Sequence, residues 1–232
     1  MSESTAWHVG IDLHKDWVVM SALRGAGDDP QHEQTLPNEW SKLKRYFERL
    51  LKDGGVRACY EAGGCGYGLR RRLLEIGVDC DVIAPSHTPT QPGDRRKTDQ
   101  RDARKLARFL RSGDLVAVHV PTPQEEEVRD LVRSRLVLVH EIHRSRQYAL
   151  KLVQRLGRRF EGGRNWSRAH RQWLASLELS AEHRRVLDRY LSLLTSKELL
   201  LAEIEQDVER ASRKAPYAEP VAKRARVVGA GG

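Results

Sequence analysis

Near Pro121 the hydrophobic pattern of this chain changes period, and that change limits the available architectures more than any other feature. Before it, short apolar runs at strand spacing alternate with amphipathic helical stretches. Beyond it only helical spacing recurs, over lengths well above the usual three or four turns. "PTPQEEEVRDLVRSRLVLVHEIHRSRQYALKLVQRLG" is one long helical pattern, opened by Pro123 and by glutamates that suit the positive end of a helix dipole. "WSRAHRQWLASLEL" reads as a shorter helix, and "SAEHRRVLDRYLSLLTSKELLLAEIEQDVERASRK" as a second long one with leucines at helical intervals. Two long helices around a short one predict an antiparallel hairpin or coiled-coil arm over 121–215, an element suited to oligomerisation. Trp166 and Trp173 read as core anchors of that arm rather than base-stacking platforms.

The part before Pro121 reads differently. "WHVGIDLH" and "WVVMSALR" are two neighbouring strands separated by a polar "KD", and "QHEQTLPN" is a weaker third strand of the same meander. "NEWSKLKRYFERLLKDGG" is a helix with a cap and a closing glycine pair; "VRACYEA" is a short strand, "GYGLRRRLLEIGV" a helix, and "CDVIAP" a strand ended by proline. A polar loop and the helix in "KTDQRDARKLARFL" follow. Hairpin strands first, then strands alternating with helices, predict an α/β domain to about residue 120 with a mixed sheet covered by helices.

That last helix raises a chemical question. Ala103, Leu106, Ala107 and Leu110 define its apolar stripe, and the stripe continued one turn back passes through Asp99 with Asp102 at its edge. Positions three apart differ by only about 60° around a helix, so both carboxylates project the same way. A single aspartate there answers the helix dipole, and Thr98 or Asp99 serves as an N-cap. Two on the core side, among basic residues, exceed what a cap requires. Two further acids stand out. In "VGIDLHK" alternation places Val9, Ile11 and Leu13 on one face and Gly10 and Asp12 on the other, while Glu61 closes the strand "VRACYEA" ahead of glycines. Taken singly, Asp12 fits a hairpin bend pairing with Lys15, and Glu61 fits a solvated strand end. Acids at strand ends and on a packed helix can converge over one sheet edge, and such a cluster repels itself unless cations occupy it. Mg²⁺ favours two to four carboxylates with retained waters, and a pair of ions is a general arrangement for phosphodiester chemistry. Spacing alone does not bring the four together.

Charge points the same way. Lys+Arg is 41 against Asp+Glu 32, a net charge of +9, which makes nucleic acid the first partner to consider and arginine the preferred phosphate ligand. Lys97, Arg101, Arg104, Lys105 and Arg108 surround the acidic pair, either as a phosphate track or as a solvated helix face. Arg144, Arg146, Arg155, Arg158 and Arg159 offer the same choice for an RNA backbone. His14 reads as a hydrogen-bonding neighbour of the site. Gly64, Gly66 and Gly68 do not make a dinucleotide loop, because the preceding Glu61 would repel a pyrophosphate; beside a metal site they let a nucleic-acid strand approach. No GK[ST] P-loop occurs. The 3 cysteines fit neither a disulfide framework nor a zinc site, which suggests a reducing cytoplasm. No apolar run reaches the roughly 18 residues of a membrane span, and no secretion signal is visible.

"GIDLHK", "YEAGGCGYGLRRRL", "PGDRRKTDQRDARKLARFL" and "VRDLVRSRLVLVHEIHRSRQ", in this order, resemble the DEDD transposases of the insertion-sequence one-ten family. The resemblance extends over essentially the whole chain. It implies a RuvC-like, ribonuclease-H-like N-terminal domain in which Asp12, Glu61, Asp99 and Asp102 bind Mg²⁺ and are catalytic. It implies a recombinase that acts on DNA, both element ends and target, guided by a structured RNA, as a cytoplasmic, nucleoid-associated homo-oligomer assembled through the helical arm, with no membrane partner. The family continues into a second domain that carries a serine nucleophile. Residues 216–232, ending in "VVGAGG", are expected to be the truncated opening of that domain, and no serine here takes the nucleophile's place by position. Two alternatives stay open at this point: a catalytically inactive nucleic-acid-binding remnant, and a stand-alone RuvC-like junction nuclease.

Overall fold

The computed structural model describes residues 6–87, 98–214 and 216–217. Lys97 and residues 218–232, with most of the expected domain opening, lie outside the described residues. The chain forms two compact units, Met1–Val120 and Pro121–Gly232.

The first unit is built on five strands: β1 (Trp7–Leu13), β2 (Trp17–Leu23), β3 (His32–Pro37), β4 (Val56–Glu61) and β5 (Asp79–Ile83). Their order across the sheet is β3-β2-β1-β4-β5. β1 pairs antiparallel with β2, and β2 with β3, whereas β1–β4 and β4–β5 are parallel. This mixed sheet with flanking helices is the ribonuclease-H-like arrangement. The antiparallel half follows from tight connections; the parallel half needs crossovers, supplied by α1 (Trp40–Asp53) and α2 (Gly68–Glu75).

Burial explains why the central strands are apolar on both faces. Val9, Ile11, Ala58, Tyr60 and Val82 pack with Leu43, Phe47 and Leu50 of α1 and Leu73 of α2. On the opposite face, α3 (Asp99–Ser112) brings Leu106 and Leu110 against Cys59 and Ile83. All four positions of the predicted α3 stripe, Ala103, Leu106, Ala107 and Leu110, are buried. Gly10 is the reason α3 can lie so close. A Cβ at Gly10 would sit 2.0 Å from the Ala103 carbonyl oxygen and 2.4 Å from the Ala107 nitrogen, so helix backbone occupies the space a side chain would need.

The side-chain cap expected at the start of α1 is absent: the N-cap position is Glu39, and no side chain bonds the first turn. Asn38 instead donates from Nδ2 to the carbonyls of His14 (2.8 Å) and Lys15 (3.3 Å). The exposed carbonyls of the β1–β2 turn outcompete the helix N-terminus for this amide, so Asn38 pins the turn that presents the start of the candidate site.

The second unit contains α4 (Pro123–Arg155), α5 (Arg168–Ser176) and α6 (Ala181–Ser212). Thr122 and Glu125 form a reciprocal capping box at the start of α4, with Pro123 in the first turn, which fixes where the long helix begins. α4 and α6 run antiparallel. Arg135 reaches Glu205 (2.7 Å), Lys197 reaches Glu141 (2.9 Å), and Arg146 reaches Glu198 (2.9 Å). At the α5 end, Ala149, Leu152, Val153, Leu174 and Leu187 make a core against which Trp166 and Trp173 pack as anchors.

Candidate metal centre

Parallel strands place their carboxyl ends side by side, and crevices beyond those ends are where open α/β sheets bind ligands. In the parallel β1–β4 pair Ile11 lies opposite Tyr60, so the next residues, Asp12 and Glu61, are neighbours at the strand ends. Ile11 and Tyr60 point into the α1/α2 core; Asp12 and Glu61, one residue on, point to the α3 side. Asp102 reaches the same place from the first turn of α3. Asp12, Glu61 and Asp102 together line one cavity of about 260 Å³, with Lys105, Gly63 and Pro85 among the other walls. Asp102 Oδ2 is screened from solvent.

Asp99, the first residue of α3, joins through Asp12. His14 Nε2 lies 3.1 Å from Asp12 Oδ2 and 3.4 Å from Asp99 Oδ2. One ligand atom from each of Asp12, His14 and Asp99 falls within 4.8 Å of the others, close enough to share a single cation. Trp17 donates its indole Nε1–H to Asp99 Oδ2 (3.3 Å), and its ring lies 5.1 Å from the His14 imidazole. Asp12 is therefore common to two groups: a cavity set with Glu61 and Asp102, and a more exposed set with His14 and Asp99. Carboxylate oxygens with one imidazole form a hard donor set that suits a divalent ion such as Mg²⁺ or Mn²⁺ better than a thiophilic one.

The structure also settles several local alternatives. Asp12 lies within β1 opposite Val19, and its contact is His14 rather than Lys15. Asp99 and Thr98 make no side-chain cap at α3; Asp99 turns its carboxylate to His14 and Trp17. His14 is a hydrogen-bonding neighbour, and its position also makes it a possible ligand. Trp17 was not legible as a site residue, because its place depends on how the β1–β2 turn folds back over α3.

The basic residues around the acids divide. Lys105 lines the cavity. Arg104 is paired with Glu33 on β3 through both carboxylate oxygens. That ion pair holds the Glu33 carboxyl below its usual range, outweighing the effect of burial, and raises the Arg104 guanidinium. Arg108 donates to the Asp28 carbonyl at 3.2 and 3.3 Å. Arg101 is exposed. In the loop after Glu61, Tyr60 donates to the Gly66 carbonyl (3.1 Å), and Gly66 takes φ 66°, a conformation glycine adopts without strain. Gly64 and Gly68 border open space.

A ribonuclease-H-like sheet whose acids gather at the ends of its parallel strands defines the class of this protein. The IS110 DEDD family model, described as a transposase, matches residues 9–157, from β1 to the end of α4. Among curated relatives, the transposase for insertion sequence element IS1533 of Leptospira borgpetersenii is 32% identical over 218 residues, covering 92% of this chain and 63% of that protein. A transposase of Sinorhizobium fredii, y4qE, is 47% identical over 168 residues, covering 72% of this chain and 43% of that protein. The chain belongs to the IS110 family of DEDD transposases. It spans 63% of the length of the first of these relatives and 43% of the second.

Proposed function

We propose that this chain provides the metal-binding catalytic domain of an insertion-sequence transposase, acting on DNA phosphodiesters at element ends and target. In this reading Asp12, Glu61, Asp99 and Asp102 hold Mg²⁺, with His14 at its margin. A bound ion would neutralise phosphate charge and act as a Lewis acid at the scissile group. The chain's own residues do the rest. The sheet holds Asp12 and Glu61 rigidly, α3 fixes Asp99 and Asp102 against them, and Lys105 at the cavity wall attracts a phosphate oxygen. Lys97 and Arg101 are the expected basic margin for the approaching strand, which Arg104 and Arg108 join by exchanging Glu33 and the Asp28 carbonyl for phosphate oxygens. A structured guide RNA, a homo-oligomer formed through the α4–α6 arm, and a cytoplasmic, nucleoid-associated location complete the proposal.

The observation that carries it is the convergence of Asp12, Glu61 and Asp102 on one cavity, from two parallel strands and a helix far apart in sequence. Calorimetric titration of the chain with Mg²⁺ and Mn²⁺ tests it. Asp12→Asn should weaken binding at least about tenfold, because Asp12 serves both acid groups, and Asp102→Asn should do so to a smaller degree. Unchanged affinity in both variants would remove the metal centre, and with it the proposed chemistry.

A further inference from the structure

At the α5 end of the helical arm a second cavity, about 710 Å³ in volume, lies between the last turns of α4, the 157–165 loop and α5. Its size falls within the roughly 300–1,000 Å³ of small-ligand sites. Lys151, Arg158 and Arg159 contribute three positive charges to the lining, which includes no carboxylate among the described residues. Elsewhere along the arm the inward-facing cations are matched: Arg135 by Glu205, Arg146 and Arg171 by Glu198, Lys197 by Glu141. Lys151 and Arg159 are exposed and, like the exposed Arg155, Arg164 and Arg168, have no ion-pair partner among the described residues; what sets them apart is that they share one concavity with Arg158. Cations left unmatched around a concavity constitute an anion site.

The rest of the lining is not what a simple anion requires. Phe160 stands at the wall, its ring centroid 5.4 Å from that of Trp173 and 4.9 Å from that of His170. Gln147, Gln154 and Asn165 add amide groups able both to donate and to accept. His170 accepts the Trp166 backbone N–H at Nδ1, which leaves the ring proton on Nε2; burial, helped by Arg171, lowers its pKa. Aromatic faces, amides and phosphate-seeking cations in one concavity are the elements that bind an unpaired nucleotide.

The loop is also held in shape. Trp166 adopts φ 66°, the sole non-glycine residue with positive φ among the described residues. The guanidiniums of Arg146 and Arg171 lie 5.8 and 5.7 Å from its ring centroid, and both arginines are tied to Glu198. A strained residue fixed by this many contacts indicates a backbone shape the fold maintains at a cost. Gly162 serves the same end, since a Cβ there would lie 2.6 Å from the Phe160 ring.

We infer that this cavity binds an unstacked nucleotide of a single-stranded nucleic acid, its base against Phe160 and its phosphates on Lys151, Arg158 and Arg159. The site is separate from the acid centre and does not rest on the metal reading. Fluorescence anisotropy of the 232-residue chain with labelled octanucleotides, in EDTA so that the acid centre plays no part, tests it. The probes are oligo(U), oligo(dT), an abasic deoxy-octamer and a DNA duplex. Lys151→Ala/Arg159→Ala should weaken oligo(U) or oligo(dT) about tenfold or more and reduce the salt slope by about 1.4, two phosphate contacts on a single strand. Phe160→Leu should weaken the base-bearing single strands about fivefold or more, leaving the abasic strand and the duplex unchanged. Circular dichroism checks that the variants fold. A preference between oligo(U) and oligo(dT) identifies RNA or DNA as the source of the nucleotide. Equal loss on the abasic strand, or no loss from either cavity variant, overturns the inference even if the metal centre stands.

Discussion

Replacing Gly10 with alanine tests the geometry on which the acid centre depends. The new methyl would lie 2.0 Å from the Ala103 carbonyl oxygen, 2.4 Å from the Ala107 nitrogen and 2.9 Å from Leu106 Cβ. Two of these are backbone atoms inside a helical turn and have no rotamer to change. Relief therefore requires α3 as a whole to withdraw from the sheet by about 1 Å, since carbon to non-bonded oxygen contacts below roughly 3 Å are strongly repulsive. Withdrawal loosens Leu106 and Leu110 from Cys59 and Ile83, so the cost should reach the upper end of overpacking penalties, about 3 kcal/mol. That is a large share of the roughly 5–15 kcal/mol that stabilises an ordinary domain. The same shift carries Asp99 and Asp102 away from Asp12. Urea unfolding followed by circular dichroism reads the first effect, and Mg²⁺ titration of the folded variant reads the second. Gly10→Ala should unfold at markedly lower urea and bind Mg²⁺ more weakly. A variant within about 0.5 kcal/mol of the parent, the ordinary range for harmless surface changes, with unchanged Mg²⁺ affinity would show that α3 does not lie across β1 as described.

Two further outcomes are expected. Because Arg104 holds the Glu33 carboxyl below its ordinary value, the pair stabilises the fold above the unfolded carboxylate pKa and ceases to do so as pH falls through the folded one. Glu33→Gln should therefore be less stable than the parent near neutrality, by about 1 kcal/mol or less given the exposure of Arg104, and the gap should close below roughly pH 4 in urea titrations; a gap that persists at low pH would contradict the ion-pair assignment. Burial raises the Cys59 thiol, and lifts that of Cys80 to about 12, while Cys65 is exposed. A chromogenic disulfide reagent near neutral pH should thus titrate one thiol in the native chain and all 3 in denaturant; two fast native thiols would mean the β4–β5 core is open.

Much of the fold is local and was legible in the sequence for that reason. Side-chain period distinguishes a strand from a helix whatever the rest of the chain does, so β1, β2, β4 and β5, the α3 stripe and the two long helices of the arm follow from the order of apolar residues alone. The face assignment in β1 is equally local: once Val9 and Ile11 seek a core, Gly10 and Asp12 must face the other way. The helix near Asn38 shows where such reasoning stops. An Asn before a helix is a fitting cap, yet nearby turn carbonyls claimed its amide, a competition between partners that only folding brings together.

The acid centre divides along the same line. Sequence could identify Asp12, Glu61, Asp99 and Asp102 as unusual, and the family resemblance could associate them, but their meeting depends on the parallel register that sets Ile11 beside Tyr60 and on a glycine that lets α3 approach. Long side chains are the least legible of all. Arg104, Arg108 and Lys105 lie within one helical stretch and have similar charge, yet two turn to Glu33 and Asp28 while the third lines the cavity. Trp17 and the cavity at the end of the arm belong to this second kind as well. A periodic backbone carries its own instructions residue by residue, whereas the partner a flexible charged or aromatic side chain finds is chosen only when distant surfaces close around it.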